Sequence, residues 1–399
     1  MPDLRHDARI TPMNDARLSR LCHRDAIATP VIASLVCAAV SSTAAMSRLV
    51  ALVAICLLLA GFTSWPGMAH TLAGKLVAPP GASPLLPAER IDAAFARLPH
   101  RSGHVRTGDG VPVFWRALDP GDYHMDYAWT RPADDLYGVE FTLDFQAPSA
   151  APVAPRGTVV LLHGWMMDGG SLLPWSLALA EAGYRTITLD LRNHGHSGAG
   201  PSGYGTREAG DVVDTVAALR ARGEITGPLH VFGVSYGAAT ALFASADPRL
   251  GAERVVALES FDNAGAAIRD MVPHMLEETG GDWRARLVRR WLRWRIDATV
   301  LDAAIDQAGQ LLSLPLDGVD VGTALARAPG CVLLVHGTAD RHVPVAHGRA
   351  LAAAVPGARY LELAGEDHIS LPMRLDRLAP TVVDWFDAPA CPQSALAAH

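Results

Sequence analysis

A serine between two glycines, at the end of an apolar run, is the strongest candidate for a nucleophile in this chain. The run at residues 229–234 leads into Ser235, and Gly233 and Gly237 complete the pattern Gly-x-Ser-x-Gly. A serine at a sharp turn from a strand into a helix presents its hydroxyl beside the helix N-terminus, where backbone N–H groups favour developing negative charge. Side chains at the two glycine positions would collide with neighbouring backbone in such a turn. The pattern therefore predicts a nucleophile elbow.

A nucleophilic serine needs a base to take its proton and an acid to orient that base. His368 follows the last predicted strand and is the base that we predict. Asp340 follows the strand before it and is the acid that we predict. The chain order Ser235, Asp340, His368 is the order of nucleophile, acid and base that this succession of strands requires. Glu259 and Asp262, which follow the preceding strand, remain alternatives for the acid.

Stabilisation of an oxyanion requires two backbone N–H donors near the nucleophile. We predict that one is the amide of Tyr236, directly after the serine. The other is expected from the loop after the first buried strand, at Trp165, where Gly164 permits a close turn. The neighbouring His163 is interpreted as a structural residue rather than a proton carrier.

No metal or cofactor site is predicted. Asp190, His194 and His196 follow one predicted strand, but their spacing matches no known metal signature. The chain has 5 cysteines, of which only Cys331 and Cys391 lie in the predicted globular part. Neither a disulfide framework nor a metal site is expected from them.

The segments around these residues alternate between apolar strands and helices. Such alternation predicts a parallel sheet covered on both faces. Upstream, two alternating runs at 111–115 and 138–145 predict antiparallel edge strands. The apolar strands are expected at residues 158–162, 184–189, 229–234, 255–258, 331–335 and 358–363.

Taken together, these motifs resemble the α/β-hydrolase superfamily, in its lipase, esterase and serine aminopeptidase-like branch. The resemblance extends over residues 111–386 and rests on residues 163–164, 190–198, 233–237, 336–340 and 365–368. It implies a mostly parallel central sheet of about eight strands flanked by helices. It also implies a domain at residues 106–389 with a small helical cap inserted at 262–329.

The same resemblance implies a hydrolase that cleaves a small acyl ester, thioester or amide, without naming the substrate. Because position 235 is serine, the related dehalogenase and epoxide hydrolase branches, which use an aspartate nucleophile, are disfavoured. A non-catalytic binding protein that retains the fold is the rival interpretation. Net charge of −7 and a pI near 6.1 argue against a nucleic-acid partner. The oligomeric state stays open.

The amino-terminal part of the chain carries a targeting pattern. Residues 1–45 predict a poorly structured extension, and Met46 is an alternative start that would leave them untranslated. Residues 49–62 carry no charge and follow Arg48, so residues 46–70 predict a signal anchor or signal peptide. We expect the hydrolase domain to be held at the membrane, outside the cytoplasm.

Cleavage of that segment after Ala69 is the competing outcome, and it would release a secreted or periplasmic protein. Residues 71–105, with several prolines, predict a linker that leads into a short helical stretch. Residues 390–399 are expected to form a tail.

One predicted helix in the cap has an unusual composition. When the residues are placed at helical spacing, the tryptophans and one leucine lie together on one side of the helix. Several arginines lie on a separate side. We expect a cap helix packed on the domain with solvated arginines, and contact with an anionic membrane surface is the alternative. The apolar cluster is Trp283, Leu287, Trp291 and Trp294, and the flank is Arg286, Arg289 and Arg293.

Overall fold

The computed structural model describes residues 65–79, 88–131, 140–148, 153–277, 283–328, 330–355 and 357–391. The chain divides into units at residues 1–68 and 69–399, and the fold described below is that of the second. The predicted extension at 1–45 and most of the predicted anchor lie outside the described residues. In the ranges given above, no helix is both long enough and apolar enough to span a bilayer.

Strands and helices alternate along most of the described chain. The strands are β1 (His100–Arg106), β2 (Pro112–Leu118), β3 (Asp126–Thr130), β4 (Glu140–Asp144), β5 (Thr158–Leu162), β6 (Arg185–Asp190), β7 (Leu229–Val234), β8 (Arg254–Leu258), β9 (Cys331–Gly337) and β10 (Arg359–Leu363). The α-helices are α1 (Trp65–Val77), α2 (Ala88–Phe95), α3 (Leu173–Glu181), α4 (Thr206–Ala221), α5 (Tyr236–Ser245), α6 (Ala264–Glu277), α7 (Trp283–Arg295), α8 (Ala298–Leu312), α9 (Val321–Leu325), α10 (Val345–Ala354) and α11 (Leu375–Asp387).

Eight strands form one sheet in the order β1-β2-β6-β5-β7-β8-β9-β10. β2 pairs antiparallel with both of its neighbours, and the remaining pairs are parallel. The predicted mostly parallel sheet is therefore confirmed. The two strands expected upstream are antiparallel, as predicted, but neither is an edge of the main sheet, because β2 lies inside it and β4 pairs with β3 in a separate hairpin.

The segment predicted as a linker carries regular structure. α2 coincides with the short helical stretch that we expected, but α1 overlaps the start of the segment, and β1 ends it as the edge strand of the main sheet. α2 buries Ile91 and Phe95 against the domain. The sequence of β1 gives little sign of a strand because only Val105 is buried there, so the alternation of apolar residues that marks a half-buried strand is missing.

The core lies against the central strands, whose residues are buried on both faces. Alternate positions of β5, β7, β8 and β9 pack with α3 and α11 in one apolar cluster, which includes Trp175 and Trp385. The intervening positions are equally buried, so helices cover the other face as well. Burial on both faces fixes the ends of these strands, from which the site residues project.

Four helices, α6 to α9, are inserted between β8 and β9 and fall within the range predicted as a cap. α8 buries one side, with Leu301 and Ile305 among its buried residues. α7 differs, because none of its residues is buried. The apolar cluster that we expected to pack on the domain is instead exposed.

A disulfide joins Cys331, at the start of β9, to Cys391 beyond α11, with the two Cα atoms 5.5 Å apart. The expectation that these cysteines form no bridge is wrong. They are 60 residues apart in the sequence, and only the return of α11 along the sheet brings the tail back to the start of β9. Cysteine spacing alone carries no sign of that return.

Candidate active site

Ser235 occupies the turn between β7 and α5, with φ 53° and ψ −113°. Its backbone N–H donates a hydrogen bond of 2.8 Å to the carbonyl of Leu258, which ties the turn to the neighbouring strand. A Cβ atom at Gly233 would collide with the backbone of Gly237, and one at Gly237 would collide with the backbone of Leu162. The two glycines therefore allow the close approach that holds the serine in this strained conformation.

His368 lies between the serine and an acid. Its Nε2 is 2.9 Å from Ser235 Oγ, and its Nδ1 is 2.7 Å from Asp340 Oδ2. With the proton on Nδ1 donated to the carboxylate, Nε2 is free to accept the serine proton. The structure thus brings together the three residues that the sequence predicted as nucleophile, base and acid.

Asp340 is held as an anion by its surroundings. Its side chain is fully buried, and Oδ1 accepts hydrogen bonds from the amides of His342 (2.8 Å) and Val343 (2.9 Å). Burial alone would raise the pKa of Asp340, but the charge of His368 and hydrogen bonds from His336 and His368 lower it well below its usual range. A fixed charge at this position orients the imidazole.

The two alternatives for the acid have different environments. Glu259 is buried, and Oε2 lies 3.6 Å from His368 Nδ1, farther away than Asp340. Burial, followed by the charge of Asp340, raises the pKa of Glu259 well above its usual range and so favours the neutral form of this carboxyl. Asp262 is not at the site, because its carboxylate hydrogen-bonds His347 of α10.

Two buried histidines shape the loop that carries Trp165. His194 donates from Nδ1 to the carbonyl of Arg192 (2.8 Å) and accepts the amide N–H of Met166 at Nε2 (3.3 Å). Met166 itself has φ 64°, a conformation that needs such support. Burial lowers the pKa of His194 to about 3, so it stays neutral and keeps its acceptor. His163 likewise bonds the carbonyl of Gly164 (2.8 Å), as expected for a structural residue.

The amides predicted for the oxyanion hole are those of Trp165 and Tyr236. Among the hydrogen bonds of the described residues, none has either of these N–H groups as its donor. Their rings meet edge to face with centroids 4.9 Å apart, and Tyr204 stacks on Trp165 at 5.5 Å. The aromatic contacts fix the two loop ends that flank Ser235.

Sequence reasoning missed further residues beside the base. His342 packs against His368, with ring centroids 5.2 Å apart, and His274 of α6 meets His342 at 4.7 Å. Burial, then the charge of His368, lowers the pKa of His342 to about 3. Arg131 pairs with Asp367, the residue before the base, through a contact of 2.9 Å. His342 was recognisable by its position two residues after Asp340, whereas Arg131 comes from a distant hairpin.

Glu259, Asp340 and His368 also form the one group of possible metal ligands found in the described parts of the chain, with ligand atoms within 4.8 Å of one another. A metal on His368 Nδ1 would replace its hydrogen bond to Asp340. The hydrogen bonds that Asp340 and His368 make are better explained by orientation of the imidazole toward Ser235. Asp190 serves the fold, since it accepts the amides of Gly169 and His196, each at 2.7 Å.

The order of strands, the serine at a turn into a helix and the histidine beyond the last strand define an α/β-hydrolase. The profile of the Alpha/beta hydrolase family matches residues 159–381, more than half of the 399 residues. The chain belongs to that family.

The chain is similar to the uncharacterized protein YqkD of Bacillus subtilis (strain 168), with 30% identity over 115 residues. That match covers 29% of this chain and spans only 38% of the relative. The structure is similar to the esterase Pf2001 of Pyrococcus furiosus, with a TM-score of 0.53 and 15% identity. It covers 78% of this chain and 98% of the esterase. At this identity the likeness shows the fold alone.

Proposed function

We propose that this chain is a serine hydrolase that cleaves a carboxylic ester of a small acyl substrate. One observation carries the proposal: His368 is hydrogen-bonded to Ser235 Oγ at 2.9 Å and to Asp340 at 2.7 Å. Hydroxyl, imidazole and carboxylate in one hydrogen-bonded line are what nucleophilic catalysis by serine requires. A binding protein has no use for the strained serine or for the buried acid.

In the first half-reaction, His368 Nε2 takes the proton of Ser235 as Oγ attacks the acyl carbon. The amides of Tyr236 and Trp165 stabilise the negative charge on the former carbonyl oxygen. The tetrahedral intermediate collapses when the bond to the leaving oxygen breaks, and that oxygen takes the proton from His368. An acyl group remains on Ser235.

In the second half-reaction, His368 takes a proton from water as the water oxygen attacks the acyl carbon. The same two amides stabilise the second tetrahedral intermediate, and Ser235 leaves with the proton from His368. The products are an acid and an alcohol, and no cofactor enters the balance. Asp340 stabilises the positive imidazolium in both halves.

A fluorophosphonate probe tests this proposal, because it reacts covalently with an activated serine. We expect labelling of the folded protein and its loss in Ser235→Ala, with labelling kept in the matched control Ser260→Ala, a buried serine at the end of the adjacent strand. Folded wild-type protein that does not react would contradict the proposal and support a binding protein.

Ester and amide hydrolysis share this machinery, and a serine aminopeptidase-like activity is the second candidate. Rates on p-nitrophenyl esters of increasing acyl length, compared with aminoacyl amides, separate the two. We expect the esters to react faster. Higher kcat/KM on the amides would replace the ester assignment while leaving the serine mechanism in place.

We also propose that residues 46–70 hold the hydrolase domain at the membrane, outside the cytoplasm. The disulfide between Cys331 and Cys391 supports export, since such bonds persist in oxidising compartments. Cell fractionation with amino-terminal sequencing tests the anchor. Protein that stays in the membrane pellet after a salt wash supports it, whereas a soluble extracytoplasmic chain beginning near His70 would show a cleaved signal.

A further inference from the structure

Helix α7 has the composition of a surface-binding segment. Its 13 residues include three tryptophans and six arginines, and no acidic residue. The whole chain carries a net charge of −7, so this helix is a local concentration of positive charge on an acidic protein. Such a concentration points to an anionic partner.

The orientation of α7 turns its apolar side outward. Ala285, Arg289 and Leu292, spaced at i, i+4 and i+7, are half-buried and mark the side that faces the domain. The opposite arc covers roughly 80° at about 100° per residue. It consists of side chains with large exposed fractions: Trp283 (63%), Leu287 (59%), Trp291 (49%) and Trp294 (73%).

Arginines border this exposed arc. Arg290 and Arg293 are exposed, and the ion pairs of the described residues include none from either side chain. Several arginines elsewhere on the surface are paired: Arg249 contacts a carboxylate at 2.6 Å, Arg269 at 2.8 Å and Arg349 at 2.7 Å. The charge of Arg290 and Arg293 is therefore available to an external anion.

We propose that α7 docks on an anionic lipid bilayer, lying in the plane of the interface. Tryptophan side chains favour the boundary between headgroups and acyl chains, and arginines bind lipid phosphates. A helix of this length extends about 20 Å, too short to span a hydrocarbon core of about 30 Å, so it binds along the surface.

A second copy of the chain fits this face less well. A two-fold interface would bring the six arginines of one α7 against the six of the other, and like charges repel. An anionic bilayer fits both the tryptophans and the arginines of α7. Its apolar interior can bury the tryptophan rings, and its phosphates can bind the arginines. This docking does not depend on whether residues 46–70 anchor the chain or on turnover at Ser235.

Hydrogen exchange of the full chain tests the proposal, because it reports on α7 separately from any other membrane contact. Vesicles of phosphatidylcholine with phosphatidylglycerol are compared with vesicles of phosphatidylcholine alone. We expect exchange in residues 283–295 to slow by on the order of tenfold with the anionic vesicles. Added salt should reverse the effect, because it screens the charge attraction.

Two variants identify which side chains act. Arg290→Gln/Arg293→Gln should abolish the preference for anionic vesicles, and Trp291→Ser/Trp294→Ser should abolish the protection altogether. The matched control Arg222→Gln/Arg327→Gln removes two exposed arginines elsewhere and should change neither. Circular dichroism verifies that each variant is folded.

Three outcomes would overturn the proposal. Exchange in 283–295 that is the same with and without vesicles would show that α7 does not dock. If neutral vesicles slowed hydrogen exchange in 283–295 as much as anionic vesicles did, and loss of the arginines changed nothing, α7 would not recognise anionic lipid. Protection that rises with protein concentration in the absence of lipid would show that a second copy covers this face.

Discussion

The strand ends that hold the site and the inserted helix α7 are opposite kinds of surface on one domain. At the strand ends, the side chain of Asp340 is fully buried, and each side-chain polar atom of His368 and Asp340 has a defined partner. In α7 no residue is buried, and three tryptophans are largely or half exposed. The first region holds reacting atoms in fixed positions. The second exposes apolar and charged side chains to the solvent.

That difference has a physical basis. Catalytic geometry requires a rigid frame, which the buried parallel strands provide. A membrane-binding face must stay uncovered by protein, so its side chains add no stability to the fold. The helix that carries it is stabilised by helix propensity and by its half-buried side. Substitutions in the two regions should therefore change different quantities: rate constants at the strand ends, and surface binding in α7.

The largest expected effect is on catalysis, in Asp340→Asn. Asparagine keeps the shape but removes the charge that stabilises the imidazolium and selects the tautomer of His368. We expect kcat to fall by about 10⁴, as in serine proteases with the equivalent change. Steady-state kinetics on a p-nitrophenyl ester measure it, with probe labelling of Ser235 as a second readout.

Glu259→Gln is the matched comparison, since Glu259 lies 3.6 Å from the same nitrogen, farther than Asp340, and burial raises its pKa. Glutamine keeps the volume of this side chain nearly constant and leaves the bond between Asp340 and His368 in place, so we expect a loss of kcat of at most about tenfold. If Asp340→Asn retained near-normal turnover while Glu259→Gln did not, the acid would be Glu259.

A smaller loss is expected from His194→Ala, which leaves the triad untouched. Without the ring, the amide of Met166 loses its acceptor and the loop that carries Trp165 loses its fixed conformation. Because displacement of one oxyanion donor weakens stabilisation of the transition state, we expect kcat to fall by on the order of 10². His196→Ala is the control from the loop of His194, because its half-exposed ring contacts Asp190 and Asp92 and not the amide of Met166.

The pH dependence of stability gives an independent check of His194. Its pKa in the folded protein is about 3, below the 6.5 of an ordinary histidine, so the unfolded chain binds the proton more readily. This residue therefore lowers the free energy of unfolding as pH falls from 6.5 toward 3. In His194→Ala that part of the acid sensitivity should disappear from urea denaturation curves, and an unchanged pH profile would contradict a neutral, buried His194.

The chemistry of the strand ends was largely predictable from the sequence. Ser235 sits in a pattern whose glycines are dictated by backbone contacts, and His368 and Asp340 follow apolar strands in the order that a parallel sheet requires. The relative distances of Asp340 and Glu259 from the base were not predictable. Both follow buried strands, and only packing decides which carboxyl lies within hydrogen-bond distance of His368.

Other features left no local signal. β1 buries one apolar side chain, so periodicity does not reveal it, and the bridge between Cys331 and Cys391 depends on where α11 ends. The sequence of α7 predicted an amphipathic helix but not which way it faces. Its orientation is shown by the partial burial of Ala285, Arg289 and Leu292, which depends on tertiary packing.

The smallest expected effect is on stability, in Trp291→Ser. Loss of a buried tryptophan normally costs about 3–5 kcal/mol of unfolding free energy. Trp291 is 49% exposed, and its described ring contact is an arginine 5.9 Å away, so little burial is lost. We expect a change of no more than about 0.5 kcal/mol in urea denaturation without lipid.

Trp385→Ala is the control, because Trp385 is 2% exposed in the core cluster and should show the full cost of a cavity. A loss in Trp291→Ser approaching that of the control would mean that the outward face of α7 is covered by protein in solution. The two regions would then be alike in burial, and the membrane-docking assignment would lose its premise. A small loss of unfolding free energy in Trp291→Ser would show that this tryptophan does not stabilise the fold. That result is expected for a surface that binds lipid.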